Sequence, residues 1–396
     1  VTLIDKTNHH LFQPLLYQVA TAALSPADIA VPIRAMLKSY NNISVIMGNV
    51  IGINRSKKEL KFQNGDRLEY DSLIIATGAK HSYFGNDQWE KVAPGVKTLN
   101  DALKIRERIL LSFEKAERCK TQKEAEQYLN FVVIGAGPTG VEMAGAISEI
   151  AYETMLKDFK NINPTKSNVY LIEGADRVLP VYPKSLSKKT QSYLKGFGVK
   201  LKLNTMVTDI TKEGVTTNKG FIPSVNIIWA AGNRASKLLS TLKEPQDNQG
   251  RVHVLPDLSL ESDRSIYVIG DAAHVDSGNG SPLPGLAPVA LQQGVYLAKC
   301  LVKDLEPDKR PAFKYLDKGM MATIGKSKAI GVIGPIKFSG FIAWLAWCFV
   351  HILFLIGFRN RFFVLLQWIT AYFGSHRGAR IIKRSIDYDL KKEKKS

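Results

Sequence analysis

Asn130-Phe131-Val132-Val133-Ile134 runs directly into Gly135-Ala136-Gly137-Pro138-Thr139-Gly140, and then into Val141-Glu142-Met143-Ala144-Gly145-Ala146-Ile147-Ser148-Glu149-Ile150. The first segment is a short apolar run rich in β-branched residues, which predicts a buried strand. The last predicts a helix. Between them stands GxGxxG, in the strand-then-helix context that gives this motif its meaning. Gly135 allows the tight turn, Gly137 admits a pyrophosphate close to the backbone, and Gly140 lets helix and strand pack tightly. Thr139 lies in the first turn of the helix, whose unpaired N–H groups suit phosphate oxygens.

The next predicted strand, Asn168-Val169-Tyr170-Leu171-Ile172, ends in Glu173. An acid at this point holds ribose hydroxyls and repels a 2′-phosphate, which favours NADH over NADPH. Glu173 lies 33 residues after Gly140, more than the usual ~20. A long helix reaching about Phe159 is expected to absorb the excess.

The same pattern occurs upstream. Val1-Thr2-Leu3-Ile4-Asp5 matches Val169 to Glu173, and Tyr70 to Gly78, with its Ala76-Thr77-Gly78 turn, matches Pro223 to Gly232, which ends Ala230-Ala231-Gly232. Both halves carry short β-like segments between these anchors. The chain therefore reads as an internal duplication, an α/β protein with two Rossmann-like dinucleotide-binding domains. Asp5 closes the second strand of the first domain, whose opening strand and glycine loop are expected before Val1. A third block, Ser265 to Ala273, is a buried strand ending in Gly270-Asp271, and a helix follows from Pro288 to Ala298. Its N-terminus suits a flavin, with Gly270 for close approach and Asp271 for ribityl hydroxyls. The expected organisation is residues 1–100 and 249–310 for the first domain, 101–248 for the second, and 311–396 for a C-terminal region.

That C-terminal region is apolar, then basic. Phe338 to Phe358 is a run of 21 residues without formal charge, enough as a helix to cross ~30 Å of hydrocarbon. Arg359-Asn360-Arg361 interrupts it, and Phe362 to Phe373 adds only 12 more. Trp344, Trp347, Trp368 and Tyr372 suit an interface. The last forty residues carry ten Lys or Arg against three acids, within a chain of net charge +18. A basic tail directly after an apolar run favours anionic membrane lipid over nucleic acid, for which no binding signature appears. The segment reads as a membrane anchor, monotopic or single-pass through residues 338–373. The alternative is a helical hairpin buried in a homodimer interface. His351, within the run, reads as a packing residue. Cys119, Cys300 and Cys348 are far apart and the seven histidines lack ligand spacing, so no metal site and no redox-active thiol pair are expected.

Together these residues resemble the two-dinucleotide-binding-domain flavoproteins, and in detail the type II NADH:quinone oxidoreductases. The resemblance rests on His10 to Thr21, Ala76-Thr77-Gly78, Gly135 to Glu142, Trp229 to Gly232, Gly270-Asp271, Ala290 to Gly294 and Gly357 to Arg361. It implies FAD in the first domain and NADH in the second. Asp5 would hold the adenosine ribose and Val50 flank the adenine. Thr77, Gly78 and Asp271 would touch the phosphate and ribityl region, with Ala290 nearby. Pro14 to Gln18 would line the isoalloxazine. Glu142 matches a carboxylate near the nicotinamide, and Gln292 a residue beside the flavin's pyrimidine edge and the quinone pocket, with Gln293 next to it. Where many members have Ala-Gln, this chain has Ala287-Pro288.

The implied activity is hydride transfer from NADH to FAD and passage of two electrons to a quinone, ubiquinone or menaquinone, without proton pumping. The implied place is the cytoplasmic face of the bacterial inner membrane. Glu142 either relays a proton to the quinone or only shapes the nicotinamide pocket. Gln292 and Gln293 either serve the site or are polar residues of a helix surface. Two rival activities share the fold: an NADH-dependent ferredoxin- or rubredoxin-type reductase, and a non-enzymatic NADH-sensing flavoprotein of the apoptosis-inducing-factor type.

Overall fold

The computed structural model describes residues 1–156, 158–278, 280–374 and 377–382. Its chain forms two compact units. Among the described residues six α-helices have twelve residues or more: α1 (Leu99–Glu117), α2 (Pro138–Glu149), α3 (Lys184–Gly196), α4 (Ala287–Val302), α5 (Phe341–Phe354) and α6 (Phe358–Phe373).

One unit comprises residues 9–31, 83–232 and 319–396. At its centre is a four-stranded parallel sheet in the order Val199–Lys202, Asn168–Ile172, Asn130–Ile134, Asn226–Trp229. All five residues of Asn130–Ile134 are buried, as befits a central strand covered on both faces. Phe131 pairs with Val169 on one side and Asn226 on the other. The strand predicted to precede the glycine loop is thus the middle of the sheet, and α2 begins at its C-terminal end. A three-stranded antiparallel sheet, Met320–Gly325, Lys328–Ile333 and Ile336–Gly340, packs against α2. Gly145 makes this contact possible, because a Cβ there would lie 1.7 Å from the Ile324 carbonyl oxygen.

The other unit comprises residues 1–8, 32–82 and 233–318. Thr2–Asp5 pairs in parallel with Ser44–Met47, and Leu73–Ile75 with Ile266–Val268. A meander of Val50–Asn54, Glu59–Phe62 and Arg67–Glu69 follows. It mirrors the meander Val207–Ile210, Gly214–Thr217 and Gly220–Pro223 of the other unit. In each unit an acid-terminated parallel strand precedes a meander and a strand ending in a glycine turn, as the duplication predicts. α4 packs over Gly270–Ala272.

Two expectations need correction. The helix after the glycine loop does not run on to Phe159: α2 ends at Glu149 and passes into a π-turn, Ile150–Thr154. Nor is Phe338 to Phe358 one helix. Phe338 belongs to strand Ile336–Gly340, α5 has 14 residues, and Leu355 to Gly357 breaks the chain before the 16 residues of α6. These helices are about 21 and 24 Å long at 1.5 Å per residue, short of a ~30 Å hydrocarbon core. Among the described residues no helix is long and apolar enough to cross a membrane, so the single-pass reading lacks its helix. The chain makes a hairpin because Gly340 and Gly357 cap the two helices with φ of +81° and +88°, values that oppose helix continuation. Lys383, Arg384 and Lys391 to Lys395 of the expected basic tail lie outside the described residues.

Candidate active site

The glycine loop has the close packing its spacing predicts. A Cβ on Gly140 would fall 1.8 Å from the Gly135 carbonyl oxygen, and one on Gly135 would fall 2.7 Å from the Ala231 nitrogen. Gly137, by contrast, faces open space within 4 Å. It is the N-cap of α2, no side chain caps that end, and Pro138 occupies the first turn. The N–H groups of Thr139 and Gly140 are therefore left for a ligand. Ala230, donating to the Ile134 carbonyl at 2.7 Å, brings Ala231 and Gly232 to the same end of the sheet. Glu173 stands at the end of the neighbouring strand. Its Oε2 accepts from Ala136 N–H at 2.7 Å and its Oε1 from Ala175 N–H at 2.9 Å. The carboxylate thus staples the glycine loop while each oxygen keeps a second lone pair.

One turn into α2, Glu142 lies on the wall of a cavity of about 630 Å³, a typical small-molecule volume. Burial pushes its carboxyl from the ordinary 4.5 up to about 8, against a partial offset from the Thr323 N–H. Glu142 is therefore protonated and neutral at pH 7. Tyr17 lines the same cavity, and burial first, then the neighbouring Glu142, raises its phenol well above the ordinary value. Tyr17 accepts from Gln18 Nε2 at 2.9 Å, and Gln18 Oε1 accepts from Trp368 Nε1 at 2.8 Å. This bond spans 350 residues and fixes α6 to the segment after Pro14, which sits in the short 3-10 turn Gln13–Leu15. Deeper along α2, Glu149 accepts from Arg377 at 2.7 Å and from the Lys326 N–H at 2.5 Å. Trp347 and Cys348 complete the apolar side. His351 stacks on Trp347 with centroids 4.0 Å apart. Burial pulls its pKa down to about 4, so it is a neutral packing residue at physiological pH. Sequence reasoning passed over Glu149 and Arg377 as site residues and took Trp368 only as an interfacial anchor, while Gln18 stood within the Pro14 to Gln18 stretch.

In the other unit, Gly270 N–H donates to the buried Gln293 Oε1 at 2.6 Å, which pins the turn against α4. Asp271 is half-buried, and its carboxylate has no hydrogen-bond partner among the described residues. A Cβ on Gly285 would lie 3.2 Å from its Oδ1, so the approach to Asp271 is narrow. A lone acceptor so placed fits a polyhydroxy chain such as the ribityl of FAD. Asp5 Oδ1 is taken by the N–H and hydroxyl of Thr7, both at 2.7 Å, leaving Oδ2 for a ribose. Ala76 and Thr77 are exposed, and Gly78 is open on its Cβ side. Val50 begins the meander, and Ala290 lies 3.3 Å from a Cβ placed on Gly270. Gln292 is on the outer face of α4. Its amide donates to the Leu316 carbonyl and accepts from the Leu316 N–H, both at 2.9 Å. Any contact of that amide with a quinone would first have to break this pair. Among the described residues no cluster can hold a metal ion, and all three cysteines are free thiols.

Residues 1–294 match the family of pyridine nucleotide-disulphide oxidoreductases. A type II NADH:quinone oxidoreductase of Mycobacterium tuberculosis, Ndh, is 42% identical over 393 residues, covering 96% of this chain and 84% of that protein. A second from the same organism, NdhA, is 40% identical, covering 98% and 85%. The chain belongs to the type II NADH:quinone oxidoreductases. The solved structure of a Plasmodium falciparum member, NDH2, in complex with NADH superposes with a TM-score of 0.87 at 22% identity, over 95% of this chain and 94% of that one. At that identity it establishes the shared fold. Within the type II oxidoreductases, then, this chain keeps the α/β dinucleotide-binding flavoprotein architecture.

Proposed function

We propose that this chain oxidises NADH and reduces a quinone, with FAD as its resident cofactor. One observation carries the reading. The helix that opens at the glycine loop is the same twelve-residue helix that holds Glu142 in the cavity wall. A nucleotide anchor and a neutral buried carboxyl thus share one rigid element.

FAD, when bound, supplies the two-electron relay that no side chain here can provide. The chain does the rest. Gly135, Gly137, Thr139 and Gly140 receive the pyrophosphate of NADH, Ala231 and Gly232 form the facing edge, and Glu173 directs its free lone pairs to the ribose hydroxyls. Asp5 and Val50 take the adenosine of FAD. Ala76, Thr77, Gly78, Gly270, Asp271 and Ala290 take its phosphate and ribityl chain. Gln293 and Gln292 act as positioning residues, the first on the Gly270 turn, the second on Leu316. Quinone reduction consumes two protons, and Glu142 holds one of them at the carboxyl oxygen that faces the cavity.

The α5–α6 hairpin supports monotopic attachment to the cytoplasmic face of a bacterial inner membrane. Phe341, Ile342, Phe349, Leu353, Phe358 and Phe373 are between 47% and 84% exposed, a grouping of exposed apolar side chains that suits a lipid interface. Arg359 lies over Phe363 at 5.1 Å, placed to meet anionic headgroups. A homodimer through this face is the competing use of the same surface.

Stopped-flow absorbance on the FAD-loaded chain tests the activity. NADH should remove the yellow absorbance rapidly and a short-chain quinone should restore it within the same turnover time. Restoration by a ferredoxin but not by any quinone would replace this reading.

A further inference from the structure

α1 buries Ala102, Ile105, Ile109, Leu110 and Phe113, the spacing of one helix face. Arg106 falls on that face, 8% exposed. Arg106 lines the 630 Å³ cavity, and no group among the described residues accepts a hydrogen bond from its guanidinium. Burial lowers its pKa, with only the adjacent Glu107 opposing. The other cations of the wall are engaged. Arg377 is bonded to Glu149 and to the Thr21 carbonyl, each at 2.7 Å, and Lys326 lies over the Tyr372 ring at 5.4 Å. A guanidinium carries five donors and is always charged at physiological pH. None of the Arg106 nitrogens is sealed from the space of the cavity, so its donors are open to whatever occupies that space. The cavity has room for an acceptor beside it.

We propose that Arg106 is the anion-recognition residue of this cavity, binding the carboxylate or phosphate headgroup of a single-tailed amphiphile. The tail lies along Trp344, Trp347, Trp368 and Tyr372, which line the same space. A quinone carbonyl is neutral and adds no charge to that of the adjacent Glu107 in offsetting Arg106; an anionic headgroup adds paired hydrogen bonds as well as charge. The ligand site is thus distinct in chemistry from the quinone reading, and its test involves no turnover.

The FAD-loaded full-length protein in a neutral detergent is titrated with laurate, dodecyl phosphate, dodecanol, acetate and inorganic phosphate, read by indole fluorescence. Laurate and dodecyl phosphate should bind saturably, the tighter one assigning the headgroup, and dodecanol, acetate and phosphate should bind at least tenfold more weakly. Arg106→Gln should weaken the tighter amphiphile about 30-fold, which is about 2 kcal/mol, and Arg106→Lys should stay within about fivefold of the parent. Thermal unfolding provides the second readout. Without ligand, Arg106→Met should unfold no lower than the parent, because it removes no hydrogen bond to a described residue; with laurate, only the parent should gain. Dodecanol binding as tightly as laurate, equal binding by parent and Arg106→Gln, or a lowered midpoint for ligand-free Arg106→Met would each overturn the proposal.

Discussion

Replacing Glu142 by Gln tests the buried proton. In the folded chain burial moves this carboxyl from 4.5 to about 8. A raised folded pKa means that the native state binds the proton more tightly than the unfolded chain does. The contribution of Glu142 to stability is therefore complete below pH 4.5 and is lost as pH rises through 8. The full shift converts to about 5 kcal/mol at ~1.4 kcal/mol per unit. Water in the cavity screens part of this, and about 2–4 kcal/mol is the working expectation. Gln keeps the shape and cannot titrate. The difference in unfolding midpoint between parent and Glu142→Gln should shift against the parent by about 2–5 °C from pH 5 to pH 8.5, given the size dependence of unfolding entropy. A protonated-carboxyl infrared band should be present in the parent at pH 7 and absent from the variant. Parallel midpoint curves and no such band would refute the buried, neutral Glu142.

Other consequences are as sharp. Gly140→Ala places a Cβ 1.8 Å from the Gly135 oxygen, so NADH affinity should fall more than 100-fold while FAD content, measured by absorbance ratio, stays near that of the parent. Glu173→Gln should bring the NADH/NADPH preference in kcat/KM down about tenfold; an unchanged ratio would leave Glu173 with only its loop-stapling bonds. Phe349→Asp with Phe358→Asp should release the protein from anionic vesicles in a flotation assay by at least tenfold, since two charges then replace apolar contacts on the exposed hairpin. Retention by vesicles would move the attachment elsewhere.

The nucleotide elements were legible because their physics is local. Residues 130–142 encode strand, turn and helix within thirteen positions, and the Asp5 and Glu173 strands repeat that code at a recognisable distance. The hairpin was misread because composition hides geometry. Phe338 to Phe358 is uncharged and mostly apolar, and an apolar run alone does not separate strand from helix. The glycines at 340 and 357 were the available punctuation. The cavity was illegible for a different reason. Trp368 meets Gln18, Arg377 meets Glu149, and Gln292 meets Leu316, pairings across tens to hundreds of residues that no local pattern specifies. Arg106 did leave a trace, as the one arginine on the apolar stripe of α1, but its lack of a partner is visible only in three dimensions.

A photoreactive short-chain quinone, irradiated on the NADH-treated protein and mapped by peptide sequencing, tests the central claim most directly. The account predicts label on cavity segments 142–154, 344–348 and 367–374, with protection by excess unmodified quinone. Protected label confined to residues outside that cavity would contradict it.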